Sequence, residues 1–144
     1  MSDIRFSMGE GVNLSGYRTA LQETINDILK RIEVCDKGIK WVIIEEEKFK
    51  KMDKSAPGKL FPISSFIKEE YKYGCCDIKT NTIWISTEAI HTAPFPVERL
   101  FPQRVKNQLA DVILDELAHI MTKRNHGDEK YEETLASYRK KYYG

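Results

Sequence analysis

Apolar residues recur at intervals of three and four along two stretches of the chain, and this spacing predicts two amphipathic helices. The first covers about residues 16–35. The second begins at Pro102, which suits the first turn of a helix, and continues to about Lys123. A third helix is predicted over residues 128–142, where two acidic residues in the first turn complement the helix dipole.

Short β-branched and aromatic runs between these helices predict a small sheet. Residues 41–44 are typical of a buried strand. Residues 73–78 and 82–86 are separated by a polar turn, which predicts an antiparallel hairpin. The segment 91–102 holds three prolines and is predicted to be an irregular connector, and the polar residues 1–14 are predicted to be loosely ordered. The whole chain of 144 residues is therefore predicted to be one α+β domain with a mixed or antiparallel sheet.

Composition and net charge limit the partners and the cellular location that the sequence predicts. The chain has 23 basic and 22 acidic residues and a formal net charge of +1, which predicts neither a nucleic-acid nor a membrane partner. No stretch approaches the ~20 apolar residues of a membrane span, and the N-terminus lacks the layout of a secretory signal. The three cysteines form a sparse, odd set, which favours a reducing, cytoplasmic location. The adjacent Cys75 and Cys76 would point to opposite faces of a strand, so they cannot clasp one ion.

The second predicted helix carries residues of the types that ligate zinc. Asp115 and His119 are four residues apart and therefore share one helical face. Gly127 permits a chain reversal that would return His126 to that face. Two imidazoles and one carboxylate, with an open fourth position, make a catalytic zinc set. In the zinc-hydrolase pattern H-E-x-x-H the glutamate after the first ligand is the general base, and Glu116 has that place here.

Aspartate at the first ligand position is the departure from this pattern. Its side chain reaches less far than that of histidine, so the ion would lie closer to the helix or a water would bridge the two. A carboxylate also lowers the charge of the site and weakens the effect of zinc on the pKa of a bound water. The alternative is that Asp115 and Glu116 are ordinary helix acids and that His119 is a surface or cavity histidine. His91 in the proline-rich connector is a weaker candidate, and Tyr131 is predicted to pack the last helix.

Residues 73–77, 82–86, 114–120 and 125–127 resemble segments of the SprT-like zinc metallopeptidases and their small-gluzincin relatives. That group has a glycine-containing strand, an isoleucine-rich strand, an H-E-L-x-H helix and a downstream His-Gly pair. The resemblance covers roughly residues 17–142. It implies a zincin-like core with an N-terminal support helix, a sheet whose edge strand can hold an extended peptide, a metal-binding helix and a C-terminal helix.

The resemblance also implies roles for individual residues. His119 and His126 would be zinc ligands, and Glu116 would be the catalytic base. The aromatic residue that follows His-Gly in that group is found one position later here, at Tyr131. The chain is therefore predicted to be a zinc-dependent metallopeptidase acting on a peptide or protein. The alternative is a zincin-fold protein that has lost the chemistry and serves as a peptide-binding module. The substrate is predicted to pair along the edge of one hairpin strand, at Ile83, Trp84 and Ile85.

Overall fold

The computed structural model describes residues 2–7, 14–50, 59–60, 73–90 and 102–144. These residues form a mixed α+β fold with five strands and four helices. In chain order the elements are β1 (Asp3–Ser7), α1 (Leu14–Ile32), β2 (Lys40–Ile44), α2 (Glu46–Lys50), β3 (Lys59–Leu60), β4 (Gly74–Asp77), β5 (Thr82–Ser86), α3 (Pro102–Thr122) and α4 (Glu129–Tyr143). Apart from Pro102, the predicted proline-rich connector lies outside the described residues.

The five strands form one mixed sheet in the order β1-β2-β5-β4-β3. The first three of these are parallel, whereas β4 is antiparallel to both β5 and β3. The predicted hairpin is confirmed, with Gly74 opposite Ile85 and Asp77 opposite Thr82. The Asp77 carboxylate accepts a hydrogen bond of 2.9 Å from the backbone N–H of Lys79, and this contact stabilises the turn between the two strands.

The N-terminal segment contains a strand, so the prediction that residues 1–14 are loosely ordered is wrong for β1. This strand pairs in parallel with β2 and places Ile4 opposite Trp41. Ile4 is buried in the main core. Only Ile4 and Phe6 alternate with polar residues here, and the partner strand lies far along the chain, so the local pattern alone does not reveal the pairing.

Helices α1, α3 and α4 confirm the three predicted helices to within a few residues at each end. Their buried side chains join those of the sheet in one main core. These helical core residues are Leu21, Ile25, Ile28, Ile32, Leu109, Ala110, Ile113, Leu114, Leu117, Ala118, Ile120, Tyr131, Leu135, Tyr138 and Tyr142. Helix α3 is therefore buried on more than the predicted apolar stripe. Within the described residues, no helix combines the length and apolar composition needed to cross a membrane.

The two neighbouring cysteines lie on opposite faces of β4, as the pleat predicts. Cys76 belongs to the main core, and Cys75 packs in a smaller cluster with Ile44, Phe49 and Trp84. Both cysteines are buried, and neither forms a disulfide. Because side chains alternate along a strand, Gly74 shares the face of Cys76 and faces α3.

Gly74 allows β4 to lie directly against α3. A Cβ atom at this position would lie 2.6 Å from Cγ1 of Val112 and 3.1 Å from the carbonyl oxygen of Trp84. We therefore expect Gly74→Ala to lower the free energy of unfolding by about 1–3 kcal/mol, the usual cost of overpacking. Urea unfolding would measure the loss. The double variant Gly74→Ala/Val112→Ala should lose less than the sum of the two single variants, and strict additivity would contradict this account.

Candidate metal centre

The middle of α3 places one acidic and one imidazole side chain on the face predicted from their spacing. His119 is 1% exposed, and the Asp115 side chain remains 19% exposed. The atoms Nε2 of His119 and Oδ1 of Asp115 are 3.7 Å apart. The alternative prediction that His119 is a surface histidine is therefore wrong, whereas its burial is compatible with the alternative of a cavity histidine.

The turn after α3 returns His126 to the same place. Lys123 and Gly127 both have positive φ angles, of 58° and 83°, and these two left-handed residues reverse the chain. Asn125 accepts a hydrogen bond of 2.7 Å from the backbone N–H of His126 through its side-chain oxygen. Asp128 then caps α4 by accepting hydrogen bonds from two backbone N–H groups of the first turn. The predicted chain reversal is confirmed.

The three predicted ligands converge on one point. The Nε2 atoms of His119 and His126 are 3.1 Å apart, and the ligand atoms of all three residues, including Asp115, lie within 4.8 Å of one another. With zinc–ligand bonds of about 2.0–2.1 Å, neighbouring ligand atoms in a tetrahedral site lie roughly 3.3–3.4 Å apart. The His119–His126 and His119–Asp115 separations, of 3.1 and 3.7 Å, lie on either side of that value. Asp115, His119 and His126 could therefore hold a metal ion.

The protonation of His119 suits a metal ligand. Its Nδ1 atom lies 2.8 Å from the carbonyl oxygen of Arg124, so Nδ1–H donates there and Nε2 keeps its lone pair for a metal. Burial lowers the pKa of His119, because the charged ring would lose its hydration, although the nearby Asp115 carboxylate acts in the opposite direction. The ring is therefore neutral near pH 7, which is the form that binds metal ions.

Tyr131, in the first turn of α4, contacts all three ligand side chains. Its ring stacks on His119 with centroids 4.2 Å apart and an interplanar angle of 6°, and it meets the ring of His126 edge-on at 5.0 Å. Its hydroxyl donates a hydrogen bond to Oδ1 of Asp115. Burial, together with the charge of Asp115, raises the pKa of Tyr131, so the phenol remains a donor.

Glu116 is buried close enough to Asp115 and Tyr131 to interact electrostatically with both. It is 2% exposed, and its Oε2 atom has no hydrogen-bond partner among the described residues. The Cys76 thiol hydrogen bonds to the same carboxyl group. Burial, followed by the negative charge of Asp115, raises the pKa of Glu116 well above its usual value. An orphaned buried carboxyl oxygen near a candidate metal ligand is free to interact with a further group, such as a cation or a water molecule.

No family model, curated protein or solved structure matches this chain. The resemblance to the SprT-like group therefore stays a prediction. The convergence of Asp115, His119 and His126 is a finding that does not depend on it.

The strand predicted to bind the substrate lies inside the sheet and not at its edge. Ile83, Trp84 and Ile85 lie in β5, which pairs with β2 on one side and with β4 on the other. The prediction that a peptide pairs along the edge of this strand is wrong, because both of its edges are already hydrogen-bonded. Ile83 and Ile85 are fully buried in the core.

Two residues at the site were not predicted to belong to it. Tyr131 was expected only to pack its helix, and Cys76 was considered only as a strand residue that cannot clasp an ion together with Cys75. The sequence signal for Tyr131 was its resemblance to the aromatic residue that follows His-Gly in the SprT-like group, one position later here. Cys76 carried no local signal, because its contact with Glu116 joins β4 to a helix distant in sequence. His91, the weaker candidate, lies outside the described residues.

Proposed function

We propose that this chain is a zinc-dependent hydrolase of peptide bonds, with one zinc ion held by Asp115, His119 and His126. The observation that carries the proposal is the convergence of two imidazole nitrogens and one carboxylate oxygen, together with the buried carboxyl group of Glu116, which interacts with Asp115. Three protein ligands leave a fourth position of a tetrahedral zinc ion open, which is the arrangement of catalytic rather than structural zinc sites.

The donor set fits zinc. Imidazole suits zinc, copper, iron and nickel, whereas magnesium and calcium prefer sites made only of oxygen ligands. The close spacing of the ligand atoms suits a small tetrahedral ion. The neutral state of His119 and its backbone acceptor at Arg124 provide the orientation that a ligating imidazole needs.

Bound zinc and Glu116 would have separate roles in the reaction. Bound zinc would supply Lewis acidity toward a carbonyl oxygen and would lower the pKa of a water molecule. Glu116, as a carboxylate, accepts a proton from the attacking water as the new C–O bond forms. It then gives that proton to the amine nitrogen when the C–N bond breaks. A nearby cation would oppose the effect of Asp115 and favour the ionised form of Glu116, so metal binding and the availability of the base are coupled.

The strand of the sheet that comes nearest to Glu116 is β4, which is paired on both sides like β5 and offers no free edge to a peptide. Strand β4 contacts α3 at Gly74 and Val112, and its Cys76 thiol hydrogen bonds to Glu116. A peptide carbonyl that reaches Glu116 would therefore lie next to this strand. The choice of a peptide bond as the substrate rests on the resemblance to the SprT-like group.

A second candidate is a zincin-fold protein without hydrolytic activity that acts as a peptide- or protein-binding module. The observation that favours it is the burial of Glu116, which is 2% exposed and already hydrogen-bonded to Cys76. A base must contact the water from which it takes a proton, and such a buried carboxyl group would first have to become accessible.

The test of the proposed function is Glu116→Gln. We expect wild-type protein purified without chelator to hold one zinc ion and to cleave peptides from a mixed pool, with activity lost on chelation and restored by zinc. Glu116→Gln should retain zinc and lose about 10²-fold or more of the cleavage rate, the usual contribution of a general base. Mass spectrometry of the peptide pool and elemental analysis provide the two readouts.

Glu133→Gln is the matched control, since Glu133 is an exposed acid on α4. It should behave like the wild type in both readouts. Stoichiometric zinc without cleavage in the wild type would contradict the proposed hydrolysis, and a folded wild type without zinc affinity would favour the binding module.

A further inference from the structure

The backbone holds the Tyr131 side chain in a fixed place. Asp128 caps α4 and accepts a hydrogen bond from the backbone N–H of Tyr131 as well as from that of Lys130. The Tyr131 side chain is 1% exposed. A buried aromatic ring in the capped first turn of a helix has little freedom to move, so its hydroxyl is a donor at a defined point.

Asp115 needs such a donor more than a histidine ligand would. Its short side chain projects from α3 and remains partly exposed, so solvent competes for its oxygens. The only hydrogen bond that the described residues provide to its carboxylate is the one from the Tyr131 hydroxyl to Oδ1. Hydrogen bonds to ligating carboxylates orient them, and the loss of such a partner typically weakens metal binding by about 10–100-fold.

The same contact has a steric consequence. The Tyr131 hydroxyl lies within hydrogen-bonding distance of the end of the Asp115 side chain. A histidine at position 115 would extend an imidazole ring toward the position that this hydroxyl occupies. Tyr131 also keeps its ring against His119, so it cannot move away without losing that stacking contact.

We propose that Tyr131 is a positioning residue that fixes Asp115 as a metal ligand, so that Asp115 and Tyr131 together replace the first histidine of the H-E-x-x-H pattern. This inference rests on the proposed zinc site and deepens it. It assigns the last helix a direct part in the metal centre, and it makes aspartate a ligand adapted to this site.

The test is a double-mutant cycle read out as zinc affinity, measured by competition with a chromophoric chelator. In the wild-type background we expect Tyr131→Phe, which keeps the ring and removes only the hydroxyl, to weaken zinc binding about 10–100-fold. In the Asp115→His background the same substitution should strengthen zinc binding, because it removes the atom that crowds the imidazole. Asp115→His alone should not bind zinc more tightly than the wild type.

Tyr138→Phe is the control for a general effect of removing a buried hydroxyl from α4, and it should leave zinc affinity unchanged in both backgrounds. Circular dichroism and thermal melts check that each variant is folded. An equal effect of Tyr131→Phe in the two backgrounds, or none in the wild type, would overturn this inference while leaving the zinc site intact. A gain in affinity from Asp115→His alone would also overturn it. Absence of zinc binding by the wild type would instead refute the proposed function, and this inference with it.

Discussion

Replacing His119 by alanine is expected to abolish stoichiometric zinc binding. His119 is fully buried, its Nε2 faces both other ligands, and its Nδ1–H is already committed to the carbonyl oxygen of Arg124. Loss of a ligand should exceed the roughly 10–100-fold effect of losing an outer hydrogen-bond partner. Calorimetric titration of the metal-free protein with zinc would measure the change in affinity.

Thermal stability gives a second readout of the same prediction. A ligand present at 100 times its Kd stabilises the folded state by about 2.7 kcal/mol. For a domain of this size that corresponds to an increase in Tm of roughly 5–10 °C. We expect zinc to produce such an increase in the wild type and none in His119→Ala.

Two further histidine variants test whether the loss of zinc binding is specific to the proposed ligands. His126 lies in the turn after α3, so His126→Ala removes a ligand without opening a cavity in the core, and it should lose zinc binding as His119→Ala does. His91→Ala, at the only other histidine of the chain, should bind zinc like the wild type. Normal zinc binding by both His119→Ala and His126→Ala would show that the site is not where we place it.

Metal-free Glu116→Gln is expected to be more stable than the metal-free wild type at alkaline pH, with a difference that disappears near pH 4. Burial and the charge of Asp115 raise the pKa of Glu116 in the folded protein above its value in the unfolded chain. Between these two pKa values the folded state holds a proton that the unfolded state has released. The free energy of unfolding of the wild type therefore falls as pH rises, by about 1.4 kcal/mol for each unit of pKa difference.

Glutamine does not titrate. The difference in free energy of unfolding between the two proteins therefore reports the titration of Glu116 alone. Among the described residues, the titratable groups that interact with Glu116 are Asp115, Cys76 and Tyr131, and all three are present in both proteins. Urea unfolding in the presence of a chelator, at a series of pH values, would measure the difference. Addition of zinc should reduce it, because a nearby cation favours the ionised carboxylate. A difference that is constant with pH would contradict the assigned state of Glu116.

Local spacing was enough to predict much of the fold and the grouping of the three candidate metal ligands. The four-residue interval between Asp115 and His119 defines one helical face whatever surrounds it, and Gly127 permitted the reversal that returns His126. The hairpin β4–β5 was also visible, since its strands are joined by a short polar turn. These features depend on neighbours within a few residues, where helix and turn geometry are decisive.

Each feature that the sequence did not reveal depends on contacts between distant segments. Strand β1 is defined by its parallel pairing with β2, and the interior position of β5 follows from pairing with that same strand. Parallel pairing leaves no local turn signal. The contacts of Cys76 with Glu116 and of Tyr131 with Asp115 likewise join separate elements across the core.

The division of the proposed metal centre between two segments has a consequence for the dynamics of the C-terminus. Asp115 and His119 belong to α3, whereas His126 and Tyr131 belong to the turn and helix that follow it. A metal ion shared by both segments would have to be released before α4 could separate from the rest of the protein. Amide hydrogen exchange in α4, and proteolytic cleavage at the exposed residues 123–125, should therefore slow when the site is filled. The opening rate of the last helix would then report directly on metal occupancy.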